Sequence, residues 1–345
     1  MNYGISYMGS KSAIAKNIVN LLPAGNRFVD LFGGGFAISH YVLVHHIYNN
    51  QLSLFGKKWN KLLYNDFNPL IVDVVKRAIN GDFNYNKFKP KFIWKQDFER
   101  FKDKDGYIKS VWSFGNNGQY YMYNDEIVKY KYACHQAIVF NAWGEMKKLC
   151  PEVWEDAHAA IKDIKDIKHR RLRFAPAIVK KLKKLNDWNL VQSNPLYKSC
   201  HWRGGKLDGK QNDLESLESL QSLESLESLE RLERLQSLER LERLQSLERL
   251  ERLQIVNISY EDYVYQDGDV VYCDIPYEDT AQYSDRFDHK KFYEWVYSRD
   301  YPVFFSSYEN ISDKRFKCIW KMPKRSTLSS TSNITLNIEC VYTNN

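Results

Sequence analysis

The sequence predicts an α/β protein built on a doubly wound sheet, with a mostly helical region inserted between the two halves of that sheet. Three observations predict it. Helix-like and strand-like segments alternate through the first quarter of the chain; strand-like segments return after the middle; and the stretch between them is aromatic, basic and amphipathic, with few readable strands.

In order, Ser10 to Leu22 carries apolar residues at Ile14, Ile18, Val19 and Leu22, which is helical spacing, and Pro23 closes it. "NRFVDLF" reads as a short buried strand running into glycines 33 to 35, and "FAISHYVLVHHI" as the helix that follows. "KLLYNDF" is a second strand and "NPLIVDVVKRAI" a second helix of this order. Later strands are expected at "QIVNISYEDYVY", "DVVYCDI", "PVFFSSY", "FKCIWKM" and "NITLNIECVYTN", the last two as an antiparallel hairpin at the sheet edge. The expected division is a first core half at 1–90, a helical domain at 91–205, a repeat insert at 206–254 and a second core half at 255–345.

Composition narrows the class. Aromatic residues make up 15% of the 345, 24 of them Tyr, which fits a packed globular chain rather than a disordered one. No run approaches the roughly 20 apolar residues that span a bilayer, and the N-terminal segment has Gly and polar residues where a secretion signal would be apolar. The expectation is a cytoplasmic protein with no membrane partner. Cysteines at 134, 150, 200, 273, 318 and 340 form no C-x-x-C pair, so neither a zinc site nor a disulfide framework is suggested, and no metal is expected. Residues 214–254 hold 10 Glu and 6 Arg, which leaves a net +11 on the rest of a chain of net +7. That excess points to a polyanionic partner. Much of it lies in "IKDIKDIKHRRLRFAPAIVKKLKK" (161–184), which reads either as a solvated helix face or as a nucleic-acid contact.

The segment 214–254 repeats leucine at every third position, fourteen times from Leu214 to Leu253. On an α-helix each leucine would fall about 60° behind the last, so no face stays apolar. Good helix formers and the i,i+4 pairs Glu230–Arg234, Glu239–Arg243 and Glu248–Arg252 favour a helix, while a three-residue-per-turn helix or a short solenoid stays open. A tolerated tandem duplication is one reading of its role, and a segment that binds protein or self-associates is the other.

Three short stretches carry chemistry. "FVDLFGGGFAIS" (28–39) ends a strand in an acid and a glycine turn, where Gly33 and Gly35 let a ligand approach the backbone and Asp30 can receive a positive group. Asp66 ends the next strand, where a carboxylate can accept both hydroxyls of a ribose. No phosphate-loop lysine follows the glycines, which argues against a nucleoside triphosphate. "DIPY" (274–277) ends a later strand and is either an ordinary Asp-Pro turn or an acceptor pair beside an aromatic surface.

Taken together these residues resemble the DNA adenine methylase (Dam-like) family. "YMGSK" (7–11) is similar to that family's N-terminal Y/W-x-G-G-K, "FVDLFGGG" to its F-x-G-x-G turn, "NDFN" (65–68) to its acidic ribose motif and "DIPY" to its D-P-P-Y. The order also matches, with cofactor motifs first, a target-recognition region next and the catalytic motif last. Ile275 stands where the first Pro is usual, Ser10 where the second Gly is usual, and Asp30 where Glu is commoner. The resemblance implies a Rossmann-like methyltransferase sheet, S-adenosyl-L-methionine as cofactor, double-stranded DNA as partner and methylation of the adenine N6 amine. A restriction endonuclease is a partner this class allows.

Carried onto this chain, the resemblance implies that Tyr7, Lys11, Asp30, Phe32, Gly33, Gly35, Asp66 and Asp274 bind cofactor. It assigns catalysis to Asp274, Ile275, Pro276 and Tyr277. The chemistry agrees: an adenine amine is a poor nucleophile, and acceptors on its two N–H groups, the Asp274 carboxylate and the Ile275 carbonyl, would stabilise the charge that develops. Pro276 stiffens the loop and Tyr277 offers a stacking plane to a base turned out of the duplex. Given DNA, Arg170, Arg171 and Arg173 become candidate phosphate contacts and Asn116, Asn117 and Gln119 candidate base readers, with Tyr283 closing over the target base. Cytosine N4 methylation is the nearest rival. A non-catalytic DNA-binding protein that works through its leucine array is a rival of another class.

Overall fold

The computed structural model describes residues 3–5, 7, 9–47, 58–83, 89–185, 196, 250–278, 287–325 and 336–345, in two compact units, Met1–Gly81 with Arg240–Asn345 and Asp82–Glu239. The first unit is a mixed α/β body. Its strands are β1 (Arg27–Asp30), β2 (Lys61–Asn65), β3 (Leu253–Val256), β4 (Asp269–Cys273), β5 (Val303–Tyr308), β6 (Lys317–Arg325) and β7 (Leu336–Thr343). They form one seven-stranded sheet in the order β3-β2-β1-β4-β5-β7-β6, consistent with a Rossmann-like methyltransferase fold. The β1–β2, β1–β4, β2–β3 and β4–β5 pairs are parallel, while β7 runs antiparallel to both β5 and β6.

Burial follows strand position. Every residue of β1 and β4, at the centre, is buried, as expected of parallel strands covered on both faces. Helix α10 (His289–Tyr297) covers one face, with Phe292 and Tyr293 against Phe305. On the other face Phe28 meets Trp59 and Phe36 meets Tyr64 at 5.0 Å each. At the open end β6 carries Lys317, Lys321 and Pro323, edge chemistry that discourages pairing with another chain.

Local signals explain most boundaries. Helix α3 (Pro69–Ile79) begins where Asn68 Oδ1 accepts the Leu70 amide, with Pro at the first helical position. Helix α1 spans only Ala15–Leu21, and its last carbonyls are tied by Lys58 Nζ, which donates to Val19, Asn20 and Leu22 at 3.1, 3.0 and 2.8 Å. The helix read at 36–47 starts after Phe36, which holds φ at 66°; α2 runs Ala37–Val42 and opens into a π-type turn over Leu43–Ile47. The strand read through "QIVNISYEDYVY" ends at Val256, because Asn65 takes the Ile258 amide and donates back to its carbonyl, turning the chain off the sheet. Leu253, the last leucine of the repeat, is itself a strand residue of β3; positions 214–249 of the repeat lie outside the described residues.

The second unit is built of helices α4 (Lys95–Phe101), α5 (Gly106–Val111), α6 (Val128–Phe140), α7 (Gly144–Leu149), α8 (Trp154–Ile161) and α9 (Ile167–Leu185). Helices α6 to α9 share a core around Ala133, Ala137, Met146, Phe174, Ile178 and Leu182. Among the described residues no helix is long and apolar enough to cross a membrane, and no group of His, Cys, Asp and Glu is arranged to hold a metal.

Candidate active site

Three strand ends make the site. β1 and β2 run parallel with Asp30 opposite Tyr64, and β1 and β4 run parallel with Asp30 opposite Tyr272. The chain therefore leaves all three strands at one carboxyl edge, carrying Gly33–Gly35, Asp66 and Asp274 with it. Asp30 is 1% exposed and accepts a 2.6 Å hydrogen bond from Ser39 Oγ. Burial lifts its carboxyl to about 7 against the Ser39 bond, and the charges of Asp274 and Asp66 add to the lift.

The glycine turn is held from two sides. The Gly33 amide donates to the Asn65 carbonyl at 2.8 Å, and the Tyr64 hydroxyl donates to the Gly34 carbonyl at 2.7 Å. Asp66 Oδ2 accepts the Gly34 amide at 2.9 Å and Oδ1 the Asn68 amide at 2.8 Å. Burial raises the Asp66 carboxyl, and these two amides oppose it. Tyr7 lies against the same turn: a side-chain carbon built at Gly35 would come within 2.6 Å of Tyr7 Cβ. Gly33 and Gly34 stay half-exposed, so their backbone can be approached from outside. Phe32 packs in a ring cluster with Tyr260, Phe287 and Phe292 at 5.5 to 5.7 Å.

Lys11 reaches across from the N-terminal segment. Its side chain is 4% exposed, and Nζ lies 2.8 Å from Asp274 Oδ1 and 3.5 Å from Glu339 Oε1. It also stands 4.6 Å from the centroid of the Tyr277 ring. The Tyr277 hydroxyl donates to Glu339 Oε1, and its ring meets Tyr308 edge-on at 4.6 Å. Burial, then the nearby Asp274 and Glu339, pushes the Tyr277 phenol well above its usual range. Ile275 is buried, and the Pro276 carbonyl meets His289 Nε2 at 2.7 Å, which anchors the loop to the start of α10.

Glu339, His289 and Tyr308 carry no role in the sequence reading. Glu339 had a readable signal, since an acid inside the apolar run "NIECVY" needs a partner if that strand is buried. Ser39 had none.

Of the residues singled out for nucleic acid, all but Tyr283 lie in the second unit. Asn117 Oδ1 accepts the Gln119 and Tyr120 amides, so it is engaged in its own turn, and Gln119 is exposed. Asn116 closes a short 3₁₀ turn, Phe114–Asn116; its side chain is outside what is described, as is all of Tyr283. Phe114 and Tyr120 on the same loop are exposed, at 44% and 65%. Arg173 is exposed, Arg171 is buried, and Arg170 donates to the Ile164 and Ile138 carbonyls at 2.5 and 3.3 Å.

The arrangement presents acceptors and one ammonium around an open glycine turn, which suits a ligand with hydroxyls and a positive centre. A comparison with curated proteins finds no match to the chain. Residues 7–150 match the family model of the D12 class N6 adenine-specific DNA methyltransferase, and that match supports a Dam-like adenine methyltransferase family.

Proposed function

We propose that the chain transfers the methyl group of S-adenosyl-L-methionine to the N6 amine of an adenine turned out of double-stranded DNA at a specific sequence. The family-model match supports DNA adenine methylation in general; the donor, the flipped base and the residue roles are this proposal. The observation that carries it is the Lys11–Asp274 contact of 2.8 Å, which joins the first motif of the chain to the last at the edge where Asp30 and Asp66 also emerge.

The residues fit the donor. Asp30, whose carboxyl is held up near 7 by burial, would gain from a cation beside it, as the donor's ammonium or sulfonium offers. Asp66 has acceptor capacity beyond the two amides it takes, which suits ribose hydroxyls. When bound, the donor supplies an electrophilic methyl. The protein's own contribution is orientation and charge: the Asp274 carboxylate and Ile275 carbonyl accept the two amine hydrogens, and Tyr277 gives the base a surface. His289 holds the Pro276 carbonyl so that these groups stay in one geometry. In the second unit, Arg173 has the exposure needed for a phosphate contact, and the exposed Phe114 and Tyr120 flank Gln119 on one loop.

Incubation with tritiated donor and unmethylated DNA tests this directly. Wild type should incorporate label and Asp274→Ala should lose it by about a hundredfold or more. No incorporation by wild type that nonetheless binds the donor would favour the non-catalytic reading. Long-read sequencing of DNA from expressing cells should show N6-methyladenine in one context; N4-methylcytosine there would move the reading to its rival. A restriction endonuclease acting on that same context, and self-association through the leucine repeats, complete the proposal. Sedimentation of the full chain over a range of concentrations checks the second.

A further inference from the structure

Glu339 sits in β7, paired with Tyr308 of β5 and Met322 of β6, and is 0% exposed. A carboxylate persists in such a place only when charged or hydrogen-bonded partners repay its lost hydration. Two of them come from distant parts of the sequence. Oε1 accepts the Tyr277 hydroxyl, and Lys11 Nζ lies 3.5 Å from that same oxygen.

Lys11 poses a problem for the chemistry. At 2.8 Å from Asp274 it occupies part of the carboxylate that should accept an amine hydrogen, and its charge weakens the pull of that carboxylate on the amine. Its side chain is 4% exposed, so leaving for solvent would cost the contacts it makes in the protein. Glu339 offers a nearer exit, since its Oε1 already lies 3.5 Å from Nζ and the ammonium can close on it without leaving the site.

We propose that Glu339 is a positioning residue of the methyl-transfer site, which fixes the Tyr277 ring and takes over the Lys11 ammonium when Asp274 engages the substrate amine. The inference rests on the reading of Asp274 and Tyr277 given above. Tyr308 supports it, because the residue paired with Glu339 across the sheet also packs against the Tyr277 ring in a T-shaped contact. The two strands hold one aromatic side chain through its ring and its hydroxyl.

The test compares wild type with Glu339→Gln, which keeps an acceptor for the Tyr277 hydroxyl but no charge for Lys11, and Glu339→Ala, which keeps neither. With thiols blocked, tetranitromethane nitration of Tyr277, read by mass spectrometry of its peptide, should rise several-fold in the Ala variant and little in the Gln variant. In methyl transfer, Gln should lower kcat by about tenfold with the donor KM within about a factor of two, and Ala should lower kcat further. Wild-type nitration and wild-type kcat in both variants would overturn the inference. If wild type itself transfers no methyl, the proposed function falls while nitration still decides whether Glu339 holds Tyr277. Should the Ala variant fail to fold, as judged by circular dichroism, an unchanged kcat in the Gln variant overturns the hand-over of Lys11.

Discussion

Ser39 donates a 2.6 Å hydrogen bond to Asp30, and the pair is buried, at 0% and 1% exposure, under the glycine turn. Burial nonetheless dominates and lifts the Asp30 carboxyl to about 7, against an ordinary value of 3.8. Between those values the folded chain holds a proton that the unfolded chain has released, so this group's contribution to stability falls as pH rises from about 4 to 7. Asp30→Asn removes the titration. In ligand-free protein the variant's melting temperature should gain on wild type between pH 5 and pH 8, while its donor affinity drops. A melting difference that stays constant over that range would show that Asp30 titrates normally.

Gly33 is required by packing as well as by approach. A methyl at this position would fall 2.2 Å from Tyr64 Cε2, on a ring that is fully buried and pinned by its hydroxyl to Gly34. Gly33→Ala should therefore cost about 1–3 kcal/mol in urea unfolding, the usual penalty for an overfilled core. The double variant with Tyr64→Leu, which makes room, should recover part of the loss. If Tyr64→Leu makes Gly33→Ala no easier to bear, the clash is not the cause.

The central strands were legible in the sequence because their interiors are apolar and an acid closes or follows each at one edge: Val29 and Val271 are buried, and Asp30 and Asp274 come after them. The glycine turn, Asp66 and Asp274 stand past strand ends at one edge, where the strand readings place them. Glu339 carried only the signal of an acid in an apolar run; its burial and its partners depend on β7 inserting between β5 and β6, a pairing that no local pattern fixes. Arg170 and Arg171 read as cationic surface in a basic run, and only the packing of α9 shows one bonded to carbonyls and the other buried. Periodicity registers spacing along a helix; it is silent on which neighbour will cover a given face.

At the opposite edge of the sheet, Arg27 and Asp269 form a bidentate pair, Nε to Oδ1 at 2.8 Å and Nη2 to Oδ2 at 2.6 Å, at the starts of β1 and β4. Tyr263 and the Gln266 amide also donate to Asp269. Replacing Asp269 with Ala strands a buried guanidinium and should cost about 3–5 kcal/mol in chemical unfolding. Because the pair is remote from Asp30 and Asp274, donor affinity measured where the variant is still folded should match wild type. Weakened binding under those conditions would mean that this edge communicates with the site.

Arg170 and Arg173 stand three residues apart on α9, and they should respond to substitution in opposite ways. Arg173 is exposed, so its charge is available to a phosphate; Arg170 spends its Nε and Nη1 on the Ile164 and Ile138 carbonyls. A phosphate contact contributes to affinity through released counterions, and each one lost reduces the slope of log K against log salt by about 0.9. Arg173→Ala should therefore weaken DNA binding uniformly across sequences and flatten that slope by about one, with the melting temperature unchanged. Arg170→Ala should instead lower the melting temperature, because it leaves two carbonyls without their donor, at about 1–3 kcal/mol if both are buried. Salt titrations of DNA binding by fluorescence anisotropy, paired with thermal melts, separate the two. An Arg173→Ala slope equal to wild type would remove this helix from the DNA-binding surface and leave its positive charge as a solvated face.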